Sequence, residues 1–449
     1  MADPRPPVRR AFTAAVVLGA LIASGAAPRA QAADPEPLRL EDALRVAEER
    51  SPEYLVLRAH AEAQDRRRAA TARTTWPRLS FVSDLSRTDG PARVFAEKLN
   101  RGAFGADDFA LPRLNDPDAI GHLGTALALE LPVDLAGTTR ARVRGEEAGT
   151  RALEAQVAEA RQDLRLRVTE AYARATLAEA ALVATRHALE SARSREETLE
   201  ARVSEGAALR AELLRARTRR RQREADVARG HGDEQASLVS LARVLGTDGV
   251  QYRPAAPVAA ATDDDTTLDS WRTRALAGRA LATIAMERRT AAEWARRGEQ
   301  RAALPTLAGY ASAFDDRWSG ASRRSYAVGA TVRWAFDPSR RRRIAAAKAD
   351  ERAAGLERRA AAADVESEVE TAWVRRSAAR EAIQAANGGA EEGREALRVV
   401  RERRAAGLAT LTDELETEAA SLAAELEELR TRTELALADA ALRRAAGAL

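Results

Sequence analysis

The residues able to do chemistry are few in kind. Cysteine is absent, which removes thiol nucleophiles, Cys-ligated zinc, iron–sulfur clusters, disulfides and an acylated N-terminal cysteine. The four histidines, His60, His122, His187 and His231, have no ligand-like spacing, so no metal site is expected. No nucleophile–base pair, phosphate loop or acid–base dyad stands out, and neither an enzyme nor a bound cofactor is expected. What remains is charge. The chain sets 72 basic against 68 acidic residues, and Lys98 and Lys348 are its only lysines. Arginine runs occupy residues 219–221 and 340–343. The second follows a strand candidate and opens a helix candidate, a place near anionic headgroups if that strand lies in a membrane; the alternative is a solvated helix start. Asp263, Asp264 and Asp265 are placed to cap the helix containing Trp271.

The elements that must position these charges are marked by what they exclude. None of the 16 prolines lies between Pro132 and Pro254 or after Pro338. Proline costs a helix interior about 3 kcal/mol, so both tracts read as long rods. A continuous helix over residues 138–204 would be on the order of 100 Å long. Leu153, Val157, Ala160, Leu164, Val168 and Ala171 keep a spacing of three or four, as do Leu422, Leu426, Leu429, Thr433, Ala436 and Ala440. That is the stripe of helices packing in coiled-coil fashion. Gly206 and Gly407 stand where each rod should turn back into an antiparallel hairpin.

The N-terminus reads as an address. Arg9 and Arg10 precede an apolar stretch, and Ala30, Gln31 and Ala32 offer a small-residue cleavage site. Residues 1–32 are therefore expected to be a secretory signal peptide, with a retained anchor as the alternative. Export makes a nucleic-acid partner unexpected. No later segment offers 18 consecutive apolar residues, so any crossing of a membrane must use strands in a closed barrel.

The chain also repeats itself. Leu40 opens a helical run that ends near Trp76 and Pro77; adding 228 gives Leu268, a second run, and Leu304 and Pro305. Val168 and Tyr172 recur at Val369 and Trp373, and Gly206 at Gly407, all at an offset of 201. The order helix, two strands, long helix, glycine break, long helix occurs twice, giving repeats at 33–260 and 261–449. Strand candidates lie near 79–86, 123–131, 304–314 and 326–336, with a long loop at 87–120 and a short one at 315–325. Tyr326, Val328, Val332, Trp334 and Phe336 share one face of the last strand; Leu123, Leu127, Leu129 and Leu131 share one face of the second. Alternation with aromatic ends suits a membrane barrel strand, and equally a half-buried soluble one. Four strands cannot close a barrel, so a membrane reading requires strands shared between chains, and three copies would give twelve. The fold class is mainly α with a membrane β part: a duplicated unit, with long helical hairpins forming one barrel and four strands per chain another.

In these features the mature chain resembles the TolC-type outer membrane efflux family of trimeric channel-tunnels. The most specific stretch is residues 403–415, where Gly407 and Leu408 precede Thr410, Thr412, Asp413 and Leu415 as in that family's second hairpin tip. Asn115, Asp116 and Pro117, with Val94, Phe95 and Lys98 to Asn100, look like the outer loop of some members. The resemblance implies a homotrimer in outer membrane lipid, a periplasmic helical part, and docking to an adaptor (membrane fusion protein) and an inner-membrane pump through tips at Gly206, Gly407, Leu408 and Thr410. It also implies a periplasmic gate of acids at Asp413, Glu416 and Glu212, which in three copies would form a cation-favouring ring. Glu416 stands where aspartate is more usual, and the aromatic and arginine that lock the family's closed tip are not evident. A periplasmic coiled-coil adaptor and a structural coiled-coil protein are the rival readings. The first would carry one hairpin rather than two; the second would not need aromatic-ended strands.

Overall fold

The proline-free tracts do become rods. In the computed structural model, residues 35–259, 267–318 and 321–449 are described; the leader at 1–32 and the aspartates at 263–265 lie outside them. The elements run β1 (Glu36–Leu38), α1 (Leu40–Arg50), α2 (Pro52–Ala72), β2 (Arg78–Thr88), α3 (Pro91–Asn100), α4 (Leu111–Asn115), β3 (Ile120–Val133), α5 (Thr138–Ser204), α6 (Arg210–Leu245), β4 (Tyr252–Pro254), α7 (Leu268–Gly278), α8 (Ala280–Arg301), β5 (Thr306–Trp318), β6 (Ala321–Arg333), α9 (Arg340–Ala405) and α10 (Leu411–Ala445). Helices α5 and α9 hold 67 and 66 residues, which sets the hairpin tips about 100 Å from the sheet. The two helical runs expected before Pro77 and Pro305 are each broken in two. Ser51 leaves the helical region ahead of Pro52, as a residue preceding proline tends to do. Arg279 makes the equivalent break without a proline.

All four long strands form one antiparallel sheet in the order β2-β3-β5-β6. Its register places Leu79 opposite Leu129, Phe81 opposite Leu127, and Ala313 opposite Tyr326. Strands β5 and β6 reach further than expected, so most of 315–325, read as a loop, is paired. Asp315 faces Arg324 and Asp316 faces Arg323, and opposite charges across strands favour pairing. Strand β6 ends at Arg333, leaving Trp334 and Phe336 beyond it. One face of the sheet carries Leu79, Phe81, Leu85, Leu123, Leu127, Leu129, Leu131, Tyr326, Val328 and Val332, all open to the surroundings; Leu85 is 71% exposed and Val328 74%. The opposite face carries Ser80, Asp84, Ser86, His122, Glu130, Ser312 and Thr331. An apolar face this bare suits hydrocarbon rather than water. Among the described residues neither edge strand, β2 or β6, has a second neighbour.

The duplication is visible in the packing. Ala43, Ala47, Leu164, Val168, Ala171 and Leu241 form the core of the first repeat. Trp271, Ala275, Val365, Val369, Ala372 and Leu442 form that of the second. These are the same positions at offsets of 228 and 201. Tyr172 ties the first core to its two-stranded β1–β4 ribbon, donating to the Leu38 carbonyl at 2.9 Å and accepting from the Ala255 amide at 3.1 Å. Even the close approach at the end of each hairpin recurs. Gly246 (φ +74°) lies so near α1 that a Cβ would come within 2.5 Å of the Arg50 carbonyl oxygen, and a Cβ on Gly447 (φ +71°) would come within 3.2 Å of the Gly278 carbonyl oxygen. The two repeats meet across an ionic cluster centred on a buried arginine. Arg279, 2% exposed at its side chain, holds Glu159 of α5 at 2.7 Å and Glu368 of α9 at 2.9 Å. Arg444 pairs with both of these and with Asp163.

Candidate functional site

Both hairpin tips are built by the same local chemistry. Helix α5 ends with the Gly206 amide donating to the Val203 carbonyl at 3.1 Å and the Ala207 amide to Arg202 at 2.7 Å; α9 ends with Gly407 donating to Arg404 at 3.0 Å and Leu408 to Arg403 at 2.8 Å. Each glycine has positive φ, +72° and +74°, the left-handed conformation that closes a helix end in this way. The returning helix is then capped. The Asp413 carboxylate accepts from the Thr410 amide at 2.8 Å while the Thr410 hydroxyl accepts from the Asp413 amide at 3.2 Å. At the first tip the Glu212 carboxylate accepts from the Leu209 amide at 3.3 Å. Two of the three expected gate acids thus sit six residues after a tip glycine and accept from the N-cap amide, which gives them a structural reason to be there; Asp413 completes a capping box with Thr410, whereas the Leu209 side chain has nothing to return to Glu212. The Thr410 amide, and after it the Thr410 hydroxyl, hold the Asp413 carboxyl below the ordinary carboxylate value. Glu416 lies one turn further on. It is exposed and lines a groove of about 570 Å³ with Leu214, Arg215, Arg219, Thr412 and Leu415. Leu408 is exposed at the very end of the second tip, as Leu209 is at the first.

The structure also brings together residues that the sequence did not single out. Leu411 at the start of α10 is buried against Leu199, Leu213 and Ala216 of the first hairpin. Beside this contact Arg195 of α5 reaches Glu414 at 2.9 Å and also pairs with Glu418. Glu414 is shared with Arg404 and, at 3.8 Å, with Arg401. Arg215 donates to the Thr412 hydroxyl at 3.0 Å. The Arg195, Glu414 and Glu418 side chains are 11%, 7% and 8% exposed, so this is a desolvated clasp between the two hairpins rather than a surface pair. Burial, with Arg223 alongside, pushes the neighbouring Arg219 guanidinium down from its ordinary value. The signal was present in the sequence: Leu411, Glu414, Glu418 and Leu422 keep the helical stripe, so two acids occupy stripe positions that should be apolar.

At the opposite end of the molecule, α3 in the long 87–120 loop packs over the polar face of the sheet. The Glu97 carboxylate stands 2.6 Å from Nδ1 of the buried His122, whose Nε2 is 3.8 Å from Asp316. The Glu97 approach does not make a hydrogen bond with the ring nitrogen, so it is a close polar contact rather than a directed bond. Arg101 donates to the Gly121 carbonyl at 3.2 Å, and Phe95, Phe104 and Phe109 stack edge to face above them. Among the described residues no group of three or more acids and histidines is placed to hold a metal ion, and no helix is long and apolar enough to cross a membrane.

The chain matches the family model for outer membrane efflux proteins over residues 43–247 and 273–448. No curated protein sequence matches it. Among solved structures it is similar to the Campylobacter jejuni CmeC outer membrane channel, at 17% identity and a TM-score of 0.77 over 91% of this chain and 85% of that one. It is similar to a membrane protein from Pseudomonas aeruginosa at 20% identity, TM-score 0.75, covering 91% and 93%. The Neisseria gonorrhoeae MtrE outer membrane channel in its open state shares 18% identity at a TM-score of 0.74, covering 91% and 89%. At these identities the likeness speaks for the fold.

Proposed function

The chain belongs to the outer membrane efflux protein family, the passive outer-membrane exit ducts of tripartite efflux systems and not enzymes, and on that premise we propose how its residues divide the work. The family acts as trimers with an adaptor and an inner-membrane pump. For this chain, a leader at residues 1–32 sends it across the inner membrane, and repeats at 33–260 and 261–449 then fold as one duplicated unit. Three copies pair β6 of one sheet with β2 of the next into a twelve-stranded barrel, apolar face to lipid and polar face to the bore. The helical hairpins continue the bore through the periplasm. The observation that carries this reading is the pair of unpartnered strand edges on a sheet with one bare apolar face.

The tips form the inner mouth. Asp413, Glu416 and Glu212, repeated around the axis, set a cation-favouring field across the entrance, and the Arg195 clasp holds the second hairpin against the first. Gly206, Gly407, Leu408 and Thr410 shape the ends that meet the adaptor. Detergent extraction with a mass measurement tests the assembly, and a water-soluble monomer without bilayer conductance would refute it. For the gate, Asp413→Asn with Glu416→Gln is expected to weaken cation preference and block by multivalent cations in single-channel recordings. Selectivity unchanged by that pair would remove those acids from the gate.

A further inference from the structure

The arginines at the membrane-facing ends of the helices have too little to do inside the chain. Arg343 is occupied, pairing with Asp337 at 2.6 Å and with Glu299 at 3.3 Å. Arg341 and Arg342 are exposed and have no carboxylate partner among the described residues. The first turn of α9 contains no acid and no side-chain cap. Cations there oppose the positive end of the helix dipole, so the run works against the helix it opens. At α5 Arg140 is likewise exposed in the first turn, although there an acid precedes the helix. The nearby Asp134 is consumed in accepting from the Thr139 and Arg140 amides at 3.1 and 2.8 Å. At the end of α2, Arg73 lies over the Trp76 ring, 5.6 Å from its centre.

What these arginines share is position. Trp76, Leu135, Trp334 and Phe336 follow or precede the strand ends at this side of the sheet and are 62%, 72%, 63% and 80% exposed. Aromatic side chains at barrel ends sit at headgroup level. Arg341 and Arg342 come five and six residues after Phe336, in the first turn of α9, and a guanidinium fork matches a phosphate better than any other side chain.

We propose that Arg73, Arg140, Arg341 and Arg342 form a belt that binds the anionic phospholipid headgroups of the periplasm-facing leaflet, so that the duct seats itself by charge as well as by its apolar band. This rests on the reading of the sheet as the membrane part. The test uses the full chain reconstituted in phosphatidylethanolamine vesicles, with brominated phosphatidylglycerol or brominated phosphatidylethanolamine as quencher of tryptophan fluorescence. The wild type should be quenched preferentially by the brominated phosphatidylglycerol. In Arg341→Gln with Arg342→Gln, the relative association constant for that lipid should fall roughly tenfold, about a decade being what two screened arginines contribute. Quenching by brominated phosphatidylethanolamine should not change, since it reports insertion alone. Equal quenching by both lipids in the wild type, or a preference that survives the double substitution, overturns the belt. Absence of quenching by either lipid would instead sink the membrane reading beneath it.

Discussion

Removing Arg195 should unlatch the second hairpin tip, and the structure sets both the size and the asymmetry of the effect. Glu414 would keep Arg404 and the more distant Arg401, whereas Glu418 has Arg195 as its ion-pair partner and is 8% exposed at its side chain. Breaking a buried pair by deleting one member leaves an uncompensated charge and costs about 3 kcal/mol or more. The start of α10 can relieve that cost by swinging away and letting water reach Glu418, so Arg195→Ala should raise the population of the opened tip by roughly 100-fold. Two assays read this: amide hydrogen exchange across residues 411–422, and open dwell times in planar bilayers. Adding Glu418→Gln should restore most of the closed population, because a neutral amide no longer needs the missing cation. Unaltered exchange in Arg195→Ala, or a double variant no better closed than the single one, would refute the clasp.

Three further outcomes follow from the geometry. Gly206→Ala should lower thermal stability by about 1–2 kcal/mol, the cost of a left-handed alanine in open space; Gly246→Ala should cost at least twice as much, because its Cβ would meet the Arg50 carbonyl at 2.5 Å, and equal melting shifts would contradict this. Glu97→Gln should loosen α3 from His122 and raise single-channel conductance at the outer mouth, while an unchanged conductance would mean that the loop does not narrow the bore. Because Asp413 is depressed in the folded chain, its contribution is complete above the unfolded carboxylate value and disappears only as pH falls through the lower folded value. The cation preference lost in Asp413→Asn should therefore persist in the wild type down to about pH 4, and its disappearance from reversal potentials near pH 5 would count against the cap.

Much of the architecture could be read from local rules. Helix α5 spans the expected residues because a proline-free tract with a stripe at Leu164, Val168 and Ala171 has no competing conformation. Both tips turn at the expected glycines because an αL position favours that residue strongly. The misreadings have physical causes. The stretch 315–325 reads as a loop, but Asp315 and Asp316 face Arg324 and Arg323 across β5 and β6. The break at Arg279 has no proline signal, since it is held by tertiary partners, including the Ala445 carbonyl at 3.0 Å. The tip clasp joins residues more than 200 positions apart, a relation that no window along the chain contains. The expected gate acids Asp413 and Glu212 come from the family resemblance alone, and no local rule along the chain pointed to their capping contacts with Thr410 and Leu209.

The open edges of the sheet also bear on the durability of the finished duct. A single chain carries an apolar sheet face and, among its described residues, two strand edges whose amide and carbonyl groups have no partner strand. In the proposed duct those edges are covered only beside sister chains, so the durability of the result is tied to how many chains are present rather than to any one of them. A single copy with a spoiled edge would leave the ring unsealed however sound its companions were.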